Sequence, residues 1–538
     1  MSLVSSLFLV FVAAALLLYY VVPKSFRIWV VLLASLAFAG FLGFYTLLFV
    51  LISAVLCYVG GLLSGPSKSN GSSGSDGSSG SGGSSQSNGS SRSNALRNTA
   101  TIITVVINIA LLCAVKYYNV IGLAADRLNL LFGAVDGANT FFEYAVPVGM
   151  SFYVLQTTGY ILDCRWEKIT PEKNFFKVLL FSTYFPQLMS GPMNTYASLS
   201  AEFEKAKDVK FSLSRIADGA VRVAWGFFKK LVIADRAAMT VNQIFGDHAT
   251  FTGFYVPIGV LFFAIQLYCD FSGCMEVVIG VSHMFGIELP ENFNCPFFSK
   301  TVKEYWRRWH ITLGAWLRDY LMYPILKSEP LIRLGDWSKA KFGKKNGKKV
   351  PTYIALLILW FAVGYWHGGL WNYVIGSGIL HFIYIVLGMI FEPAFKKIRP
   401  KIGADKLYFR IFQSVRTFFL MLTGFVFFRS ATVMDAIDMY AAIFRRGGAA
   451  LNWANFSSSG MDLKNLIVLI AGVLILSLVD AYKYVPGEDD KPKSVIALLR
   501  SKGIVLLWAA FMVLVVATLI FGMYGLGYDS GSFIYARI

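Results

Sequence analysis

The sequence predicts an all-α fold, a polytopic bundle of transmembrane helices. Of the 538 residues, 56% are hydrophobic and only 15% are charged, whereas soluble domains are about 25% charged. The apolar residues gather into runs of about 17–25 residues, the length that crosses a hydrocarbon layer of about 30 Å. The mean hydropathy of +0.58 agrees with this pattern. The chain is therefore expected to bury its apolar surface in lipid rather than in a large water-soluble core.

Six apolar segments are the clearest candidate spans, and we expect roughly 12–13 spans in the whole chain. No basic segment precedes the first run, which favours a retained first span over a cleaved signal peptide. The six segments are residues 3–22, 28–49, 102–115, 354–365, 467–479 and 504–521.

The formal net charge of +18 comes mainly from short loops between the apolar segments. Basic loops stay on the cytoplasmic side, so residues 24–27 and 333–349 are expected to face the cytoplasm. Such loops attract anionic membrane lipids, and they would also suit an acidic carrier protein or a coenzyme phosphate. The sequence has no basic stripe interleaved with aromatic residues, so we expect no nucleic-acid partner.

The six cysteines show no paired spacing and lie in or beside apolar segments. A structural zinc site needs further Cys or His ligands at regular spacing, so we expect neither a metal site nor a disulfide framework. The sequence also lacks a P-loop, an HExxH motif and a nucleophile elbow.

Two kinds of polar segment interrupt the apolar pattern. Residues 65–94 are almost wholly Gly, Ser and Asn and cannot bury enough surface to order themselves, so they predict a flexible connector.

The middle third of the chain holds shorter breaks. Broken backbone at membrane depth is tolerated only where protein or a water-filled cavity satisfies its polar groups, so these breaks predict a funnel or tunnel. They are residues 185–187 with 190–192, residues 270–273 and residues 289–293.

The block from residue 305 to residue 320 is predicted to form one helix with an aromatic face that includes His310. His310 would then point into the protein interior. Arg307 and Arg318 would point in one direction away from this face, and Arg308 and Asp319 in another, and all would need partners elsewhere. The alternative is that His310 is a core histidine beside interfacial tryptophans.

The second block, residues 363–372, places His367 at the end of an apolar segment, followed by two glycines. An ionisable side chain within a span is a functional-site hypothesis by default. Burial keeps an imidazole neutral, which is the state that a general base requires. The alternative is a histidine at a helix end that bonds a backbone carbonyl.

At these two blocks the chain resembles the membrane-bound O-acyltransferases, and most of all the bacterial, polymer-modifying branch of the alginate O-acetyltransferase type. The resemblance runs from about residue 147 to residue 428. The blocks that carry it are residues 148–153 with Gln156, 185–187 with 191–192, 270–273, 285–287, 289–293, 306–320 and 366–368, and residues 424–429 also resemble that type.

The resemblance implies a ring of tilted helices around a central tunnel that reaches the catalytic histidine. His367 corresponds to the family's catalytic histidine and would remove a proton from an acceptor hydroxyl, which attacks a thioester. His310 is the second histidine, which would orient the donor or stabilise the oxyanion. Trp366 and Trp309 would line or support the tunnel. Four charged residues are expected to be structural and to join intramembrane ion pairs, namely Asp270, Arg307, Arg308 and Asp319.

The last six residues, Phe-Ile-Tyr-Ala-Arg-Ile, resemble a motif of polymer-modifying members whose tyrosine carries the acyl group, although that motif usually ends in Phe. The hypothesis is that Tyr535 accepts the acyl group and passes it to an extracellular partner. The alternative is an interfacial aromatic anchor.

The resemblance thus predicts a bacterial inner-membrane enzyme without a permanently bound cofactor. It would move an acyl group, acetyl from acetyl-CoA or an acyl group from a carrier protein, toward an extracytoplasmic polysaccharide or cell-wall polymer, with an SGNH-type acyltransferase or esterase as partner. Two alternatives stay open: D-alanyl transfer to teichoic acid, and a transporter or flippase for an envelope precursor. The expected segments are N-terminal helices at 1–63, the connector at 64–97, the catalytic core at 98–430, C-terminal helices at 431–528 and the tail at 529–538.

Overall fold

The computed structural model describes residues 1–66, 85–116, 147–404, 406–445, 448, 450–485 and 492–525. Within these ranges the chain is built from helices and contains no strand, which confirms the all-α prediction. Nine helices of the described part are long and apolar enough to cross a membrane. The protein is therefore a multi-pass membrane protein. The nine are Lys24–Leu42, Phe44–Ser64, Asn94–Lys116, Tyr255–Met284, Lys349–Gly368, Trp371–Ile398, Leu407–Arg429, Leu463–Lys483 and Ile504–Phe521.

Four of the six predicted spans lie within such helices, and the other two differ. The segment 28–49 is not one span, because the chain breaks at Gly43, whose φ of 134° suits a glycine far better than other residues. The segment 3–22 forms an apolar helix of 16 residues, shorter than the nine long helices.

The described chain divides into two compact units. The N-terminal unit comprises residues 14–189 and 193–209, and the C-terminal unit comprises residues 1–13, 190–192 and 210–538. The first helix contributes residues to both. The helices up to residue 209 are α1 Ser6–Val21, α2 Arg27–Leu42, α3 Phe44–Ser64, α4 Ser85–Lys116, α5 Met150–Arg165, α6 Phe175–Thr183 and α7 Tyr196–Asp208.

Buried polar side chains join three helices of the N-terminal unit. Asn108 of α4 donates from Nδ2 to Thr157 Oγ1 of α5 at 2.9 Å and to Thr158 Oγ1 at 3.0 Å. Ser53 of α3 hydrogen-bonds to Asn108 at 3.2 Å and to Thr157 at 3.0 Å. Small polar residues of this kind hold helices together in a membrane, where lipid is as apolar as leucine.

The last part of the predicted connector is helical. Helix α4 begins at Ser85 and includes residues 85–97 of the connector. An apolar helix that has already formed extends easily, because each further residue adds one hydrogen bond without a new nucleation step. Arg97 also anchors this part, since it bonds Ser64 O at 3.1 Å and Glu167 Oε1 at 2.9 Å. The rest of the connector, residues 67–84, lies outside the described residues.

The C-terminal unit contains sixteen described α-helices and three π-helical segments. Single π turns inside longer helices are frequent at functional sites. The π-helical segments are Phe228–Ala234, Arg318–Met322 and Val374–Ile379. The α-helices are α8 Leu213–Phe227, α9 Asp235–Gly246, α10 Tyr255–Met284, α11 Val302–Arg308, α12 Ile311–Leu317, α13 Tyr323–Leu326, α14 Glu329–Gly347, α15 Lys349–Gly368, α16 Trp371–Tyr373, α17 Leu380–Ile398, α18 Leu407–Arg429, α19 Val433–Ala442, α20 Trp453–Ser458, α21 Leu463–Lys483, α22 Val495–Ser501 and α23 Ile504–Phe521.

Helices α8 and α10 pack backbone to backbone through glycines. A Cβ on Gly226 would lie 2.6 Å from the carbonyl oxygen of Gly273, and a Cβ on Gly219 would lie 2.6 Å from that of Gly280. Only glycine allows this approach. The predicted break at residues 270–273 is therefore wrong: α10 runs unbroken through it, and its Asp and Gly residues serve the contact with α8 and the π-helical segment that follows α8. The breaks at residues 185–187, 190–192 and 289–293 are confirmed as non-helical.

Candidate active site

His310 does not lie on a continuous helix, so that part of the prediction is wrong. Helix α11 ends at Arg308, α12 begins at Ile311, and His310 between them has a φ of 49°. A left-handed backbone is uncommon for a residue with a side chain. The segment around Asn292 holds this break in place. The amide of Ile311 donates to the carbonyl of Asn292 at 3.0 Å. The amide of Asn294 donates to the carbonyl of Arg308 at 2.9 Å.

The buried side chain of Asn292 organises the same break. Its Oδ1 accepts hydrogen bonds from the backbone amide and the hydroxyl of Thr312, each at 3.0 Å, and lies 3.3 Å from Nδ1 of His310. Asn292 was predicted only as part of a polar break, without a role. Its importance follows from burial in the folded chain, because a fully buried amide must find hydrogen-bond partners.

Aromatic rings surround the imidazole of His310, which is only 3% exposed. The ring of Phe271 on α10 meets it edge-on, with 4.8 Å between the centroids and 84° between the planes. The indole of Trp366 lies 6.2 Å from it. The neighbouring Trp309 is buried, and the centroid of its ring lies 5.0 Å from that of Phe293. This contact adds to the packing between the helix break at His310 and the segment around Asn292.

His367 lies in the last turn of α15 and is also 3% exposed. The helix ends there because Gly369 adopts a φ of 72° and its amide bonds back to the carbonyl of Tyr365 at 2.8 Å, a common glycine C-cap. The imidazole contacts Phe428 on α18, with 5.4 Å between the centroids and 78° between the planes. Trp366 lies 5.0 Å from it. The two glycines after His367 thus end the helix, and the ring of Tyr373 fills the space beside Gly368.

The structure brings the two predicted catalytic histidines together at one indole. Trp366 contacts the rings of both His310 and His367, and Phe271 and Phe428 complete the aromatic wall. A buried imidazole in apolar surroundings is neutral, because the charged form would lose its hydration. Such a site can accept or relay a proton during acyl transfer.

The predicted structural aspartate lies in a buried ion pair at the crossing of α8 and α10. Asp270 pairs through Oδ1 with Nζ of Lys230 at 2.7 Å, and Lys230 also contacts Asp235 at 2.8 Å. Nearby, Glu276 bonds Arg222 at 2.6 Å and Lys229 at 3.3 Å. Lys229 and Lys230 were not predicted, although two cations inside an apolar stretch are a strong signal of buried charge partners.

The other three charged residues are placed differently from one another. Arg308 is buried, bonds Glu304 one turn earlier at 3.0 Å and stacks over Tyr484 at 4.9 Å. Arg307 on α11 is half-buried. The prediction for Asp319 is wrong, because its partner is not distant: it pairs with its neighbour Arg318 at 3.0 Å within a π-helical segment, and both side chains are roughly half-exposed.

Two further predictions concern a metal site and the C-terminal tail. Within the described ranges, no three His, Cys, Asp or Glu side chains cluster closely enough to hold a metal ion. Tyr535 and the rest of the tail, residues 529–538, lie outside the described residues.

Comparison with known proteins identifies the family. The model of the membrane-bound O-acyltransferase family matches residues 170–333. A protein of Pseudomonas syringae pv. tomato named "Probable alginate O-acetylase AlgI" is 31% identical over 386 residues, which cover 71% of this chain and 68% of that protein. The chain belongs to the membrane-bound O-acyltransferase family. It is accordingly an O-acyltransferase, as the resemblance predicted.

Two further relatives show how wide this bacterial branch is. A peptidoglycan O-acetyltransferase of Helicobacter pylori is 27% identical over 333 residues, covering 57% of this chain and 58% of that protein. A teichoic acid D-alanyltransferase of Bacillus subtilis is 28% identical over 290 residues, covering 52% of this chain and 68% of that protein. The relatives therefore share the transfer of a small acyl group and differ in the group and the polymer that their names give.

Proposed function

We propose that this O-acyltransferase transfers acetyl groups toward an extracytoplasmic polysaccharide or cell-wall polymer across the inner membrane of a bacterium. The relatives support a polymer acceptor, since their names specify alginate, peptidoglycan and teichoic acid. The alginate relative aligns over 71% of this chain, whereas the teichoic acid relative aligns over 52%. That difference favours acetyl over D-alanyl transfer. Family membership favours an enzyme over a transporter.

The observation that carries the proposal is the pair of buried histidines at Trp366. In the proposed reaction, Nε2 or Nδ1 of His367 takes the proton of an acceptor hydroxyl while the hydroxyl oxygen forms a bond to the thioester carbonyl carbon. The tetrahedral intermediate then expels the thiolate, which takes up a proton as it leaves. The products are an ester and a free thiol.

Acetyl-CoA at the cytoplasmic face is the proposed donor, and an acylated carrier protein is the alternative. Both present the acyl group on a long, narrow arm. Because His310 and His367 are each only 3% exposed, the acyl group must travel along a passage to reach them. The basic residues 333–349 suit an anionic donor, since they are predicted to face the cytoplasm.

Tyr535 is the proposed relay between this site and the polymer. Its hydroxyl would attack the thioester, hold the acetyl group as a tyrosyl ester and pass it to an SGNH-type partner outside the cell. Labelled acetate should then remain on the purified wild-type chain and be absent from Tyr535→Phe. Equal labelling of Tyr535→Phe would show that another residue of the chain holds the acetyl group and would remove the tyrosine from the pathway.

The overall proposal is tested on washed envelopes of cells that carry wild-type protein, His367→Ala or His381→Gln at matched levels. His381 is a matched control because it is also buried but packs against Trp306, 4.8 Å away, rather than against Trp366. Mild base releases esters, and mass spectrometry identifies the acids. Acetate should disappear in His367→Ala and persist in His381→Gln. Loss of alanine instead would replace acetyl with D-alanyl transfer, and an unchanged profile in His367→Ala would contradict the role of His367.

A further inference from the structure

The orientation of the Asn292 side chain is fixed by a group that can only donate. The backbone amide of Thr312 points at one terminal atom of Asn292 from 3.0 Å, so that atom must be the carbonyl oxygen. The amino group then lies 3.3 Å from the sulfur of Met275, a weak acceptor. Reversing the amide would place two N–H donors face to face in a site that excludes water. Asn292 therefore presents its oxygen to the break and cannot exchange it.

The same oxygen determines where His310 carries its proton. Nδ1 of His310 lies 3.3 Å from Oδ1 of Asn292, and an oxygen acceptor interacts favourably with a ring nitrogen only when that nitrogen bears the hydrogen. In a neutral imidazole the other nitrogen then holds a lone pair, since the hydrogen bond of one ring nitrogen sets the state of the other. We infer that Asn292 is a positioning residue that holds His310 in the Nδ1–H tautomer and makes Nε2 a hydrogen-bond acceptor.

This inference rests on the proposed function for its consequence in the reaction. A neutral His310 whose Nε2 holds a lone pair cannot donate a hydrogen bond from that atom to an oxyanion. Of the two roles that the family resemblance allows for His310, orienting the donor therefore fits and stabilising the oxyanion does not.

Packing around the ring preserves the arrangement. Phe271 meets the imidazole edge-on at 4.8 Å, and the left-handed φ of His310 fixes the direction of its side chain. A rotation of the ring by 180° about Cβ–Cγ would exchange Nδ1 with a carbon and leave the oxygen of Asn292 without this contact. The tautomer is thus a property of the resting protein and does not depend on bound substrate.

The first test reads the tautomer directly. The protein is labelled with ¹⁵N-histidine in detergent or lipid, and the ring nitrogens of the five histidines are recorded near neutral pH. The signal that His310→Gln removes is assigned to His310. It should show a protonated Nδ1 and an unprotonated Nε2. A protonated Nε2 on that residue, or the absence of any neutral Nδ1–H histidine from the wild-type spectrum, would overturn the inference.

The second test asks whether Asn292 is the cause. Asn292→Leu keeps the size and removes the oxygen, so His310 should lose its single tautomer and kcat should fall on the order of 10²-fold, the scale of a misplaced group that positions the substrate. Asn292→Asp keeps an oxygen acceptor and should retain the proton on Nδ1. Thr312→Val keeps the backbone amide and should retain the wild-type tautomer.

The outcomes separate this inference from the proposed function. The nitrogen spectrum needs no substrate, so it stands whether or not the envelope esters prove to be acetate. An Asn292→Leu protein with the wild-type tautomer would remove Asn292 as the positioning residue. If that variant does not fold, the wild-type spectrum still decides the question, since a protonated Nε2 on His310 there would contradict the inference.

Discussion

Two buried regions of the C-terminal unit differ in the polar groups that they contain. They are the glycine-lined crossing of α8 and α10 and the histidine site. At the crossing, charges are buried in pairs, as between Lys230 and Asp270 at 2.7 Å. At the site, two imidazoles lie among aromatic rings, with Trp366 in contact with both. Side chains of opposite charge neutralise each other and hold the helices in position. The nitrogen atoms of a neutral imidazole, in contrast, can still accept a proton. We therefore expect the buried charged pairs to stabilise the scaffold and His310 and His367 to take part in the reaction.

The largest effect on stability is expected from breaking a charged pair. Asp270→Ala leaves Lys230 buried with only Asp235 of its two ion-pair carboxylates, and losing one partner of a buried pair costs about 3–5 kcal/mol. We expect a loss near the lower end of this range, because the carboxylate of Asp235 remains beside Lys230. Thermal unfolding in detergent measures it. The same unfolding temperature in wild type and Asp270→Ala would show that the pair does not hold the crossing.

A smaller loss of stability is expected where the two backbones touch. Gly226→Ala places a methyl group 2.6 Å from the carbonyl of Gly273, so the helices must separate, at a typical cost of about 1–3 kcal/mol. Gly388→Ala on α17 is the matched control, since a Cβ there meets nothing within 4 Å. It should be neutral or slightly stabilising. Equal unfolding temperatures for the two variants would contradict the close crossing.

An aromatic partner of His367, the proposed catalytic base, should affect the rate more than the stability. Phe428→Leu keeps an apolar side chain but removes the edge-on ring 5.4 Å from His367, a contact worth about 0.5–1.5 kcal/mol. We expect kcat to fall by up to roughly tenfold, because the imidazole is then held less firmly in the orientation for proton transfer. Steady-state thiol release measures it, with unfolding recorded on the same samples. A variant that loses only stability would move Phe428 from the site to the scaffold.

The smallest effect is expected at the exposed ion pair. Asp319→Asn removes the charge partner of Arg318, but both side chains are roughly half-exposed, and such pairs contribute about 0–1 kcal/mol. Activity and unfolding temperature should both stay near those of the wild type. A large loss of activity with normal folding would give this aspartate a role that its position does not suggest.

The sequence was sufficient for the helical class, for most of the clearest spans and for the family. The position of His367 at a helix end could be predicted because its block is local: an apolar run, a histidine and two glycines. The break at His310 could not, because Trp306, Trp309 and Leu313 keep a helical period across it. What interrupts the helix is Asn292, 18 residues earlier, which is visible only after folding.

The error at residues 270–273 is the opposite one, because a break was predicted where the helix continues. Asp and Gly at 270–273 suggested a break because they disfavour helices in isolation. Lys230 and Gly226 supply the missing partners from a helix about 45 residues earlier, and the helix continues. Asp319 was misjudged for a different reason, since a π-helical turn changes the direction of side chains that a regular period assumes.

The most direct measurement records turnover and stability together in purified His367→Ala and wild-type protein in lipid vesicles. Thiol release from acetyl-CoA reports the chemistry, and thermal unfolding reports the scaffold. We expect His367→Ala to lose turnover on the order of 10³-fold, within the range for a general base, and to unfold at the wild-type temperature. Turnover near that of the wild type in His367→Ala would contradict the claim that the buried histidine site performs acyl transfer.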